Sequence, residues 1–142
     1  MQKDLLKNNT LQDLEKNIYC RIARSKISGV GVLAIRDIPK GENPFGGVPK
    51  NKYITIDADK VLRNPKIHPG VVRMAKDFYS IRDNKIYFPD SSLNAINISF
   101  FMNTSKNANI GTRDGETFFA KKKIKKGEEL LVDYDLFSDK WE

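Results

Sequence analysis

Gly29-x-Gly31-x-x-Ala34 has the spacing of a dinucleotide-binding fingerprint. That fingerprint needs a helix directly after the glycines, so that the helix N-terminus meets the pyrophosphate. Here the glycines run into the β-branched stretch Val32 to Ile38 and then Pro39 and Gly41, which reads as strand and turn. The glycines still let a ligand come close to the backbone, without the Rossmann geometry. The rest of the reactive inventory is small. Cys20 is the only cysteine and His68 the only histidine. This excludes a disulfide framework, a zinc finger, a Cys/His metal cluster and an H-E-x-x-H protease. A Ser-His-Asp site would have to use His68, which sits in Lys66-Ile67-His68-Pro69 with no nucleophile elbow nearby. The chemistry expected here uses neither a protein-bound metal nor a histidine base.

These residues must be positioned by one modest core. The chain has 142 residues, 39% hydrophobic and 30% charged, a balance suited to one globular domain. Residues 10–18 carry Leu11, Leu14 and Ile18 at helical spacing after Thr10 and predict a short N-terminal helix. Strands are predicted over 18–25, 32–38, 53–56, 86–88, 117–122 and 129–132, with Asp57 capping a short turn. Pro69 opens a predicted helix to Tyr79, and Ser92 caps a second through Phe101. Residues 43–51 hold two Pro and two Gly and read as loop. One internal echo stands out. Residues 34–42 and 120–128 share Ala, a basic residue, Ile, Lys, Gly and Glu at matching positions, which predicts two similar β-corners. The expected fold class is mostly β, a β-rich α+β domain of several small sheets.

Charge adds a constraint on partners. Lys and Arg number 25 and Asp and Glu 18, a net +7. Residues 128–142 hold six acids against Lys140 alone, a local −5, so the remainder carries +12. A basic body of this kind suits nucleic acid, an anionic membrane surface or simple solvation. The acidic stretch suits a basic peptide. No apolar run reaches bilayer length, and Met1-Gln2-Lys3-Asp4 begins no signal-peptide core. The expectation is a soluble protein without membrane contact, cytoplasmic, or nuclear if delivered into a eukaryotic host.

Three segments in this order resemble the SET domain. The first is 24–42, with Gly29-Val30-Gly31 and Lys40-Gly41-Glu42. The second is 97–109, where Asn103-Thr104-Ser105 and Asn109 match the family's G-N-x-x-R-F-x-N-H-S-C-x-P-N segment. The third is Gly127-Glu128-Glu129-Leu130-Leu131-Val132-Asp133-Tyr134, which matches G-E-E-L-x-x-D-Y. The resemblance implies a SET domain over 19–137, after an N-terminal helical extension over 1–18 and before a short tail, 138–142. Without the family's flanking zinc modules, the sequence resembles the minimal, stand-alone SET proteins of viruses and bacteria. It implies a fold in which a C-terminal segment threads a loop around Asn103, with residues 54–88 as one wall of the substrate groove.

The same resemblance implies a protein-lysine methyltransferase using S-adenosylmethionine on a histone or other basic protein. Gly29, Val30, Gly31, Asn103 and Thr104 are then the cofactor-binding positions and Tyr134 the catalytic tyrosine. Phe45, Tyr134 and Phe137 are expected to line the substrate channel. Direct methyl displacement needs a neutral amine and a dry channel, with no metal, which agrees with the sparse Cys and His. Phe137 and Trp141 either close the channel or pack as a C-terminal cap. Four positions depart from the pattern: Thr104 replaces His, Phe100 replaces Arg, Lys106 replaces Cys and Ala108 replaces Pro. Thr104 and the missing Arg at Phe100 favour a competing reading, a SET-like binding module without turnover that contacts nucleic acid or protein through its basic surface.

Overall fold

The computed structural model describes residues 2–50 and 52–141. The chain opens with α1 (Gln2–Lys16). This helix starts well before the Thr10 signal, and residues 2–9 contain no Gly or Pro to stop it. The apolar residues at helical spacing do not join the core. Leu11 and Leu14 are 54% and 61% exposed.

The larger sheet contains β1 (Cys20–Arg24), β2 (Val30–Ala34), β6 (Asn103–Thr104), β7 (Ile110–Thr112), β8 (Phe118–Ala120) and β9 (Glu129–Val132). Its order is β1-β2-β9-β7-β8, with β6 also on β9. β9 pairs antiparallel with β2 and parallel with β6 and β7. It therefore lies between the N-terminal hairpin and the segment that follows Asn103. Asn109, buried, pins it: its amide donates to Glu129 O at 2.9 Å and its side-chain oxygen accepts from Leu131 N at 2.8 Å. The smaller sheet, β3 (Tyr53–Asp57), β5 (Lys85–Pro89) and β4 (Ile81–Arg82), carries α2 (Ala58–Leu62) and α3 (Pro69–Phe78) between its strands. Many short strands in small sheets make this a β-rich α+β domain.

The two β-corners of the sequence echo face each other. Ile38 and Ile124, both fully buried, exchange backbone hydrogen bonds of 2.7 and 2.9 Å. On either side, Gly41 N donates to Ala120 O and Gly127 N to Ala34 O, each at 2.8 Å. Ala120 N and Ala34 N donate to Glu42 O and Glu128 O at 2.9 Å each. The six bonds form a local two-fold. The left-handed backbone of Gly41 and Gly127, φ +88° and +90°, turns each copy.

Several local expectations change. Ser92 does not cap one helix to Phe101. Its hydroxyl caps a short 3-10 turn, Leu93–Ala95, and Asn97 caps a second, Ile98–Phe101, by accepting from Ser99 N. The Asn97 side chain competes for the backbone and breaks the run. Asp57 stands at the α2 N-cap without a side-chain cap bond and instead lies 3.9 Å from Lys85. The turn Asp83-Asn84, φ +50° and +62°, builds a hairpin that the reading passed over.

The single core expected from composition is divided. One cluster, with Val32, Ile38, Ile110, Ile124, Leu130 and Val132, fills the larger sheet. Another, with Ala58, Ala75, Tyr79, Ile81 and Ile86, lies under the smaller sheet. Phe101 packs on the first and Phe78 on the second, and their rings meet edge-on at 5.3 Å. Among the described residues no helix is long and apolar enough to cross a membrane.

Candidate functional site

The turn at Gly29-Val30-Gly31 is held from behind by polar side chains. Ser25 N donates to Gly29 O at 2.9 Å, which closes the turn. The Ser25 hydroxyl donates to Glu129 Oε1 at 2.7 Å and accepts from Ile27 N and Ser28 N. Asn103 Nδ2 lies within reach of four acceptors: Ser25 Oγ at 3.0 Å, Ser28 O at 3.1 Å, Val30 O at 3.2 Å and Glu129 Oε2 at 2.9 Å. An amide nitrogen carries two hydrogens, so Asn103 spends its donors inside the protein. It is a strut between the turn, β6 and β9. Gly31 is required by this knot, because a Cβ there would stand 2.6 Å from Glu129 Oε2 and 3.1 Å from Asn103 Nδ2. Gly29, φ +51°, has the opposite surroundings, with nothing within 4 Å of where a Cβ would be. Its backbone faces open space.

Tyr134 lies on the far side of β6. β9 ends at Val132, and Asp133 caps the 3-10 turn Tyr134–Leu136 by accepting from Asp135 N at 3.1 Å. Tyr134 N donates to Thr104 Oγ1 at 3.0 Å. Thr104, in the family's histidine position, thus fixes the backbone of the tyrosine. The Tyr134 hydroxyl donates to Met102 O, and Met102 is fully buried. The Phe137 ring meets Tyr134 edge-on at 6.0 Å. Burial pushes the Tyr134 phenol above its ordinary pKa, and the Asp77 charge pushes it the same way.

Tyr134 opens into a cleft of about 1040 Å³ whose apolar walls include Phe45, Phe78, Phe100, Met102 and Phe137. Thr104 lies on its lining. Phe45 is itself buried and packs edge-on against Phe118 at 5.9 Å. Trp141 lines the cleft, and its indole donates to Tyr79 O at 3.3 Å as it packs on the second cluster. Phe137 likewise packs on the first cluster and lines the cleft. Tyr134, Phe45, Phe137 and Thr104 therefore share one cavity. Gly29, Val30, Gly31 and Asn103 do not line it. The peptide bond between Asn103 and Thr104 joins the two groups.

The acidic stretch is less available than its charge suggested. Lys106, in the family's cysteine position, bridges Asp133 at 3.3 Å and Asp135 at closer range. Bonding to these carboxylates raises the Lys106 pKa, and the same contact lowers that of Asp135. Asp139 accepts from Asp83 N at 3.1 Å, and Glu128 from Lys125 N at 3.2 Å. His68 is a helix cap, its Nδ1 accepting from Gly70 N at 2.9 Å ahead of Pro69. Burial pushes the Cys20 thiol up to about 12, which leaves it unreactive. Among the described residues no group of three His, Cys, Asp or Glu side chains could hold a metal ion. Ser25 and Glu129 were given no role from the sequence, and Asn109 was noted only as a match, although each lies inside a matched segment.

The family model of the SET domain matches residues 29–135. Comparison with curated proteins returned no match. Similar solved structures include a humanized mutant of the Chaetomium thermophilum Polycomb Repressive Complex 2 bound to the inhibitor GSK126. It has 26% identity and TM-score 0.52, covering 86% of this chain and 16% of that one. The ctPRC2 structure in complex with H3K27me3 and H3K27M is similar at 20% identity and TM-score 0.55, covering 90% of this chain and 17% of that one. The chain thus spans about a sixth of those larger chains. A Plasmodium falciparum protein described as a candidate histone methyltransferase aligns at 20% identity and TM-score 0.48, covering 82% of this chain and 93% of that one. The match over residues 29–135, on a fold whose paired β-corners and central β9 hold the three matched segments together, places this chain in the SET-domain family.

Proposed function

We propose that the chain transfers a methyl group from S-adenosylmethionine to the side-chain amine of a lysine in a basic protein. The observation that carries this reading is the Tyr134 hydroxyl. It gives its hydrogen to Met102 O at a cleft whose walls include several aromatic rings, next to the segment that braces the glycine turn. With its hydrogen committed, the phenol oxygen keeps its lone pairs for an incoming amine. The raised pKa keeps the group neutral, so it orients the amine and takes no proton from it. A lysine entering between Phe45, Phe137 and Tyr134 leaves water, and desolvation favours its neutral, nucleophilic form.

The residues at the turn fit the cofactor in one definite way. Gly29 presents bare backbone to open space, and the knot of Ser25, Asn103 and Glu129 fixes that backbone in place. When bound, S-adenosylmethionine supplies an electrophilic methyl group on sulfur. Gly29, Val30 and Gly31 would hold it through main-chain groups, and Asn103 would act by holding the turn. Thr104 serves as the tether of Tyr134 where the family pattern has histidine. The ctPRC2 structure in complex with H3K27me3 and H3K27M makes histones the first basic proteins to try.

The test is transfer of labelled methyl from S-adenosylmethionine to a panel of histones and to cell lysate, with a melting-temperature shift read in parallel. Labelled lysine supports the reading. A shift with the cofactor but no transfer to any protein supports a binding module instead. No shift and no transfer removes the proposal.

A further inference from the structure

We propose that the two paired β-corners form a ridge that binds the phosphate backbone of double-stranded DNA, on a surface separate from the cleft. This goes beyond methyl transfer and does not depend on it. Residues 120–128 contain five lysines, Lys121, Lys122, Lys123, Lys125 and Lys126, against Glu128 alone. The Ile38–Ile124 bridge lays residues 34–42 antiparallel beside them and adds Lys40 to the same surface. All six lysines are exposed.

The ridge's acids are partly engaged. Asp37 pairs with Lys123 at 3.5 Å and accepts from Lys126 N at 2.9 Å, and the Glu128 carboxylate accepts from Lys125 N. Arg36 stacks over the Tyr19 ring at 4.1 Å and donates to Lys16 O. Lys40, Lys121, Lys122, Lys125 and Lys126 form no ion pair within 4 Å among the described residues. Lys123 is already paired and contributes least.

Two features select the partner. A cluster of unpaired lysines on a rigid turn is complementary to a polyanion. Neither corner holds a Phe, Tyr or Trp, and single-stranded nucleic acid is held by stacking on aromatic platforms. A surface of ammonium groups without stacking partners fits a duplex, whose outside is phosphate. No residue of 34–42 or 120–128 lines the cleft, so a duplex on the ridge leaves the cleft free.

The test is fluorescence anisotropy of a labelled DNA duplex titrated with the full chain at stepped salt concentrations. Five phosphate contacts predict a slope of log K against log salt of about −4 to −5. Replacing Lys121, Lys122, Lys125 and Lys126 together by Gln should weaken duplex binding about a hundredfold or more at low salt and flatten the slope. Glutamine keeps the side-chain stem, and the melting temperature checks the fold. If the variant fails to fold, comparison of ligands on the wild-type chain decides. Duplex should bind tighter than single-stranded DNA, polyglutamate or phosphatidylserine vesicles. Unchanged affinity in a folded variant, a slope near zero, or any of those three ligands matching the duplex would overturn the proposal.

Discussion

Asn103 Nδ2 lies 2.9 Å from Glu129 Oε2, across the parallel pairing of β6 with β9, and both side chains are tied to Ser25. A residue assigned by resemblance to ligand contact is thus committed to bracing the turn. Asn103→Ala should therefore lower the melting temperature and cofactor affinity together. Asn103→Asp should be worse, because it sets a second carboxylate beside Glu129. Like charges raise the pKa of such a pair, so its stability contribution is present at low pH and lost as pH rises. Thermal denaturation of this variant at about pH 5 and about pH 8 should show the loss at the higher pH. An Asn103→Ala protein with unchanged stability and weaker cofactor binding would restore direct contact as the role of the side chain.

Tyr134→Phe removes the hydroxyl that Met102 O accepts. Leaving that buried carbonyl unpaired should cost about 1–3 kcal/mol of stability. Loss of one positioned hydroxyl should cut methyl transfer by about 10²-fold or more. Cofactor affinity should hold. Because burial raises the phenol pKa, its contribution to stability is intact below the ordinary tyrosine value and lost as pH climbs through the raised one. Denaturation midpoints of wild type and Tyr134→Phe, followed into the alkaline range, should converge only there.

Gly31→Ala should be destabilising through a neighbour and not through its own backbone. The new methyl would meet the Glu129 carboxylate at 2.6 Å, and Ser25 and Asn103 restrain that carboxylate. Adding Glu129→Ala should recover part of the loss. A double-mutant cycle from urea unfolding measures the coupling, with a value of about 0.5–3 kcal/mol expected for groups in contact. Additive effects would show that Glu129 moves aside freely.

Lys106→Ala should lower KM for a basic peptide at low salt. Removing the ammonium frees Asp133 and Asp135 at the cleft. The gain should shrink as salt is raised, while kcat changes little. Charge reversal at Asp135 should do less than its exposed position suggests, since that carboxylate is already matched by Lys106. Steady-state kinetics at two ionic strengths would check both. A KM that rises in Lys106→Ala would place the lysine among the residues that contact the peptide.

The first and third matched segments were legible because each joins a strand to a glycine turn, and the second through its run of asparagines, patterns that one sequence can show. The echo of residues 34–42 in 120–128 was legible as a repeat. Its pairing through Ile38 and Ile124 was not, because nothing local says that two similar corners face each other. β6 and β7, of two and three residues, have no alternation to read, and their partner β9 is more distant in sequence. The hairpin at Asp83-Asn84 carried a readable turn signal. Ser25 and Glu129 did not, since an isolated serine and glutamate take their meaning from each other. Lys106 was noted as a lost cysteine, and its use as a cation for Asp133 and Asp135 became visible only once β9 was placed beside it.

The position of β9 also bears on how the chain is made. β9 separates β2 from β6 and β7, yet the ribosome delivers it after β1 to β8. Until it emerges, β1 and β2 form an isolated hairpin, which is marginal in water. The inner faces of Val32 and Ile110 then have no cover from Leu130 and Val132. Residues 20–128 can thus build the smaller sheet during translation while the larger one waits as unjoined pieces. Final assembly of the larger sheet waits for the delivery of β9, and a nascent chain stalled before Glu129 is the form that chaperones would meet.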